Sequence, residues 1–296
     1  MNDPTPRVLL DGLVFPEGLR WRSGKLYFSD MFSNRVMTVD SEGRSEVLLT
    51  MEGDRPSGLG WLPDGKLLVV SMERNQLLSL DSGGSKVAAE LQGVPSTGVN
   101  DMVVDERGRA YIGSRVGPVL SETPNGQIIM VEPSGSAKVV AQELAFPNGS
   151  VITPDGKTFI VAETRGNRLT AFDIAADGSL ANRRLFAEVH DPDGICLDAE
   201  GAIWVACPGL HEFVRAHEGG RISQRIHVSE AKMAVACMLG GPERRTLFLS
   251  TSETQPGEIG AMAIELRETK RVENPFGRAH GRIETVDVSV PGAGRP

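Results

Sequence analysis

The chain has 296 residues, 34 of them glycine and 18 proline, and a formal net charge of -8 at pH 7. That acidic balance, with no Lys/Arg cluster, argues against a nucleic-acid binder, and no run of about 18 apolar residues offers a transmembrane helix. The amino terminus MNDPTPRVLL carries neither a basic nor an apolar leader, so a soluble, cytoplasmic protein is expected.

A first short strand, PRVLLDGL, leads into FPEGLRWRSGKLYFSD. This segment is the first of six copies of one template: a proline or small apolar residue, a variable slot, Gly or Asp, an apolar run, a turn, then a strand. The later copies read RPSGLGWLPDGKLLVVS, GVNDMVVDERGRAYIGS, FPNGSVITPDGKTFIVAE, DPDGICLDAEGAIWVAC and, degenerately, VACMLGGPERRTLFLS. The slot holds Glu17, Ser57, Asn100, Asn148, Asp193 and Ala236 in turn, at intervals of 40, 43, 48, 45 and 43 residues. Such intervals lie within or near those of four-stranded propeller blades. After each copy comes a further apolar run: NRVMTVDSEG, NQLLSLDSGG, GQIIMVEPSG, NRLTAFDIAADG, HEFVRAHEGG and GEIGAMAIE. The runs are short, rich in β-branched and aromatic residues, and bounded by Asp-Gly, Glu-Gly or Ser-Gly turns. Helix signals are scarce; the best lies around EAKMAVACM, inside the sixth template.

The pattern predicts an all-β, six-bladed β-propeller with four-stranded antiparallel blades. Closure of the ring removes exposed sheet edges. The strand PRVLLDGL and the late strand RIETVDVSV are expected to meet in one blade and close it. A single domain over residues 1–296 follows, with a core of about 7–291 and GAGRP as a loose tail. The cysteines Cys196, Cys207 and Cys237 have no CxxC spacing and are expected to be reduced core thiols.

Equivalent positions in a propeller surround its central axis, so the six slots should form a ring at the channel mouth. The Asp-Gly turns lie several residues downstream, so the slot polars are additional to ordinary turn chemistry. Two carboxylates facing each other near a low-dielectric channel are unfavourable without a positive partner. No slot holds Lys, Arg or His, and a cation is the simplest counter-charge. Carboxylates and carboxamides suit hard ions such as Ca²⁺, Mg²⁺ or Mn²⁺. Five histidines, none in HxH or HExxH spacing, speak against a histidine-built zinc site.

The segments FPEGLRW, VNDMVVDERGRAYIGS, FPNGSVITPDGKTFIVAET, HDPDGICLDAEGAIWVA and CMLGGPERRTLFLSTS resemble, in order and spacing, the blade motifs of the senescence-marker-protein (regucalcin), gluconolactonase and luciferin-regenerating-enzyme family. The resemblance implies one divalent metal on the axis, Ca²⁺ foremost with Zn²⁺, Mn²⁺ or Mg²⁺ as alternatives. Carried over residue by residue, its ligands are Glu17, Asn148 and Asp193, with Asn100 facing substrate; Ser57 and Ala236 are then the copies without a ligand, leaving that side open for substrate. The activity implied is hydrolysis of a lactone or related ester, in which the cation polarises the carbonyl oxygen. Asp193 is the candidate general base and Glu17 the second candidate. Sugar-lactone members have Arg two residues before the ND asparagine, where this chain has Gly98, and tend to carry a carboxylate in the next loop, here SRVGPVLSETPNG. A smaller or less hydroxylated lactone is therefore as plausible as an aldonolactone, with Arg115 a candidate substrate-binding cation. His190 and Glu163 read as structural polar residues. The expected partner is a small molecule and the expected state a monomer or weak homo-oligomer. A non-catalytic calcium-binding or ligand-sensing propeller is the alternative, and a protein-docking propeller the third reading.

Overall fold

The computed structural model describes residues 5–118, 123–254, 256–278 and 280–294. Strand β1 (Arg7–Leu13) precedes five meanders: β2–β5 (Pro16–Arg22, Lys25–Asp30, Arg35–Asp40, Ser45–Thr50), β6–β9 (Pro56–Trp61, Leu67–Ser71, Gln76–Asp81, Gly84–Glu90), β10–β13 (Gly98–Val104, Ala110–Arg115, Gly126–Val131, Ala137–Leu144), β14–β17 (Pro147–Ile152, Thr158–Glu163, Arg168–Ile174, Leu180–Glu188) and β18–β21 (Ile195–Leu197, Ile203–Cys207, Glu212–Ala216, Ile222–His227). The chain ends with β22 (Met233–Gly240), β23 (Thr246–Ser252), helix α1 (Pro256–Thr269) and β24 (Gly281–Asp287).

Each meander is one four-stranded antiparallel sheet, and the sixth sheet has the order β1-β24-β23-β22. The amino-terminal strand is thus the outer strand of the last blade, paired with β24 through Arg7–Thr285 and Leu13–Gly281. The strands β2, β6, β10, β14, β18 and β22 each touch the next, and β22 returns to β2. The fold is the expected six-bladed propeller, closed by its two end strands. Of the tail, Ala293 N–H donates to Leu197 O at 2.9 Å and Gly292 N–H to Arg244 O at 2.8 Å, so its described part is held against blade 5 and blade 6.

Apolar faces of neighbouring sheets pack on one another, which is what period-2 strands buried on both faces require. Tyr111 of blade 3 meets Phe159 of blade 4 at 5.5 Å between ring centroids, and Trp21 of blade 1 stacks on Phe248 of blade 6 at 5.0 Å. The outer strands β5, β9 and β21 are largely exposed, so their hydrophobic pattern is weakest. Cys196, Cys207 and Cys237 are buried and free, as expected of core thiols.

One element departs from the expectation. The run GEIGAMAIE, read as a strand, belongs to α1, whereas EAKMAVACM, the best helix signal, leads into β22. The reason is period: Ile259, Met262, Ala263 and Leu266 recur at helical spacing once the run is extended through LRET, among good helix formers and after a proline at the first position. Met262 and Leu266 are fully buried against Val14, Phe15, Met31, Phe32 and Val235. The helix therefore sits over blades 6 and 1 at the end of the channel where Glu17 and Ala236 lie.

Candidate active site and metal centre

A β-bulge aims the slots. The pairing of inner with second strand slips between Glu17 and Arg20, Pro56 and Leu59, Val99 and Met102, Pro147 and Ser150, and Ala234 and Ala236. In blade 5 the regular register starts at Ile195, and the slot itself bonds irregularly, Asp193 N–H to Ala206 O at 2.9 Å and Ala206 N–H to Gly194 O at 3.0 Å. A bulge bends its strand and re-aims the side chain there, in this case toward the slot residues of neighbouring blades. The residue after the slot decides how near the strands come. A methyl on Gly18 would lie 2.8 Å from Ser57 O, and one on Gly149 would lie 2.7 Å from both Asp193 O and Ile195 N.

The slot side chains meet in a hydrogen-bonded chain. Ser57 Oγ lies 2.6 Å from Glu17 Oε1 and 3.2 Å from Asn100 Oδ1. Asn100 Nδ2 donates to Asn148 Oδ1 at 3.1 Å, and Asn148 Nδ2 approaches Thr164 Oγ1 at 3.3 Å. The Asn148 carboxamide also lies near enough to the Asp193 carboxyl to favour its charged form. The Thr164 hydroxyl donates to Pro192 O at 2.8 Å, fixing the backbone beside Asp193. Glu17, Asn100, Asn148 and Asp193 are thus brought together, as their positions in the repeat imply. Ser57 departs from expectation: fully buried, it joins Glu17 to Asn100 instead of leaving an opening. Ala236 lies against Gly194, where an added Cβ would lie 2.5 Å from its own.

Charge is unbalanced here. Burial, with Asp101 adding and the Ser57 hydrogen bond and Arg55 opposing, pushes the Glu17 carboxyl up to about 7. Burial and then the charges of Glu17, Asp191 and Asp101 lift Asp193 well above the usual carboxylate range. Asp101 is itself raised by burial, although Arg20 Nη2 is 3.1 Å away. Like charges this close cannot all ionise without a positive partner. The donor set fits a hard cation: two carboxyls, two carboxamides and a hydroxyl, all oxygen on the ligating side. Among the described residues no group of three or more His, Cys, Asp or Glu gathers to hold a metal. A cation in the ring would therefore complete its shell from Asn148 and water, beyond the two carboxylates.

Buried acids hold the approaches. Asp30 Oδ1 accepts the backbone N–H of Val14 and Phe15, each at 2.9 Å, just before Glu17. Glu163 Oε2 accepts Ala145 N–H at 2.7 Å, before Asn148, and is paired with Arg168 and Arg183. Glu163 is structural, as read from the sequence, though its supporting role was not legible. His190 is exposed and lines a groove of about 1080 Å³ that none of the slot residues lines. Arg115 is half-buried beside Gly98, outside the hydrogen-bonded chain. Residues 119–122 of the SRVGPVLSETPNG loop lie outside the described residues. Sequence reasoning missed Asp101 and Arg20; the one available signal was Asp standing where four of the six copies have Gly.

With this geometry in place, residues 15–253 match the model of the SMP-30/Gluconolactonase/LRE-like region. The pentonolactonase XacC of Haloferax volcanii is 27% identical over 295 residues, covering 97% of this chain and 95% of that protein. Among solved structures, a calcium-binding protein, regucalcin, from Agrobacterium tumefaciens matches with TM-score 0.77 at 23% identity, covering 99% of this chain and 97% of that one. A gluconolactonase from Xanthomonas campestris matches with TM-score 0.72 at 22% identity, covering 98% and 96%.

Proposed function

Because this chain belongs to the SMP-30/gluconolactonase/LRE-like family, we propose that it hydrolyses a lactone at the slot ring, with a divalent cation held by Glu17, Asn148 and Asp193. The observation that carries this reading is the pair of half-buried carboxyls, Glu17 and Asp193, each pushed up beside the other among the oxygens of one ring. Support for a lactone comes from the pentonolactonase and the gluconolactonase among its relatives; support for calcium comes from the relative described as calcium-binding. When bound, the cation would supply a Lewis acid for the carbonyl and a positive field that keeps both carboxyls ionised.

The chain's own groups do the rest. Asp193, once ionised, takes the proton of the attacking water, a step that contributes on the order of 10² to 10⁴ in rate. Glu17, oriented by the Ser57 hydroxyl, is the second candidate for that proton. Asn100 and Asn148 fix each other, which sets the Asn100 carboxamide in place to orient the ester oxygens. Ser57 and Thr164 hold these side chains in place, and α1 shields one sector of the mouth from water. Three free buried thiols accord with a reducing, cytoplasmic setting. Among the described residues no helix is long and apolar enough to cross a membrane.

The test is a lactone panel followed by proton release, with Ca²⁺, Mn²⁺, Zn²⁺ or Mg²⁺ added after chelation. Asp193→Asn keeps an oxygen in the ring and removes the base, so turnover should drop by about 10² or more while the fold persists. Unchanged hydrolysis in that variant removes Asp193 from the role. Cation binding without hydrolysis of any lactone or aryl ester would favour the non-catalytic, calcium-binding reading, which the calcium-binding relative keeps open.

A further inference from the structure

The rim just above the slots is uneven. Two residues before each slot stand Phe15, Arg55, Gly98, Phe146, Asp191 and Ala234. Position 98 has no side chain, and Arg115, its partner across β10 and β11, fills the space. A methyl at Gly98 would fall on Arg115 Nη1, with Cζ 2.9 Å away. The guanidinium therefore lies over the strand that carries Asn100, two residues from it.

Arg115 has company of its own sign. Its charged neighbours are Arg267 of α1, Arg55 and Glu73; burial foremost, then the two arginines, hold its pKa below the ordinary value. Glu73 is already shared, with Arg55 Nη2 at 2.5 Å and Arg267 Nε at 2.9 Å. Arg115 has no carboxylate partner among the described residues, and its Nε is buried with no hydrogen-bond partner. Three guanidinia thus gather near one carboxylate that pairs with only two of them, in a chain whose net charge is -8. A neutral polyol would leave that excess unmatched. A tetrahedral or planar oxyanion matches both the charge and the fork.

We infer that Arg115, backed by Arg55 and Arg267, forms a subsite for an anionic arm of the substrate, so that the lactones preferred here carry a phosphate, sulfonate or carboxylate away from the ring ester. This rests on the lactonase reading for the chemistry but not for the binding. Arg115 is a positioning residue: it grips the arm and sets the reach of the ester to the slot ring. The absence of an arginine at position 98 is then not a lost contact. The cation arrives from the neighbouring strand, at a different place and angle.

The test compares glucono-1,5-lactone with its 6-phosphate, which differ only in the anionic arm. The wild type should favour the phosphate in kcat/KM by about tenfold or more, through KM, and the preference should weaken with salt. Arg115→Ala should reduce that ratio by about tenfold. Gly98→Ala, whose methyl displaces the fork without removing its charge, should reduce it as well. Glu73→Gln, which frees two arginines, should raise it. Calorimetry with the ring-opened 6-phosphogluconate and with gluconate provides a readout independent of turnover, expected to show the same preference and its loss in Arg115→Ala. Hydrolysis of both lactones with no preference, or a ratio unmoved by Arg115→Ala, overturns the subsite and leaves the lactonase standing. If neither lactone is hydrolysed, the wider lactone panel tests the lactonase reading and calorimetry decides the subsite: equal binding of the two acids overturns it, and an Arg115-dependent preference upholds it.

Discussion

Replacing Glu17 by Gln should remove that side chain's share of the pH dependence of stability in metal-free protein. The carboxyl is pushed from its ordinary 4.5 up to about 7, by burial first and by Asp101, against the Ser57 hydrogen bond and Arg55. Between those two values the folded chain still holds a proton that the unfolded chain has released. Stability must therefore fall as pH rises through this window, with the loss complete above pH 7. At about 1.4 kcal/mol per decade the loss approaches 3 kcal/mol. Glutamine keeps the size and the acceptor for Ser57 but never ionises. In chelator, Glu17→Gln should match the wild type near pH 4.5 and exceed it by up to about 3 kcal/mol near pH 8. Urea unfolding at several pH values measures this directly. Added Ca²⁺ should reverse the order, because ligand binding stabilises by RT ln(1 + [L]/Kd) and the variant has lost a ligand. A difference that does not change with pH, or equal stabilisation of both proteins by Ca²⁺, would refute the reasoning.

Three further outcomes are expected. Glu163→Gln breaks a buried cluster with Arg168, Arg183, Thr170 and the Ala145 N–H, and should cost on the order of 3 kcal/mol in denaturant unfolding. Burial alone would raise the Glu163 carboxyl, but Arg168, the Ala145 N–H and Thr170 hold it below the ordinary range, so its stabilisation is present above pH 4.5 and lost on acidification. Gly58→Ala would press a methyl onto Met102 N, and within 2.9 Å of Asp101 Cα, both backbone atoms of the next blade; a loss of about 1–3 kcal/mol is expected, and an unchanged unfolding midpoint would show that the inner strands yield. Cys237 is pushed well above the ordinary thiol range by burial and by Cys196, with Sγ atoms 3.9 Å apart; none of the three thiols should react with Ellman's reagent in the native state, and all three should in denaturant.

The propeller was legible because its strands are short, apolar and punctuated by turns at a steady interval, and because one strand at each end lacked a partner elsewhere. Helix α1 was not, since GEIGAMAIE taken alone has a strand's length and only LRET reveals the 3.6-residue period. Of the site, Glu17, Asn100, Asn148 and Asp193 were legible as differences within a repeat. The supports were not. Asp30 and Glu163 end their strands as acids do in many turns, and nothing local shows that each caps the loop leading to a slot of its own blade. Arg55, Arg267 and Arg115 come from blade 2, α1 and blade 3, and only folding brings them to one edge of the mouth.

The position after the slot joins fold and site more closely than the slot itself. It is Gly18, Gly58, Gly149 and Gly194 in four copies, where any side chain would strike the neighbouring inner strand. The third copy has Asp101 and the sixth Cys237. Cysteine is small enough to turn into the core, and its Sγ finds Trp204 O at 3.4 Å. Aspartate cannot hide without a partner, and Arg20 of blade 1 supplies one at 3.1 Å, with the guanidinium also donating to Leu19 O at 2.8 Å and to Met102 O. The pair links blades 1 and 3, which are not neighbours in the ring, and both side chains are almost fully buried. A buried pair like this is weak evidence for stability, but it adds a third carboxyl to the field felt by Glu17 and Asp193. The break in the glycine pattern therefore makes the ring more demanding of a cation than its slots alone would.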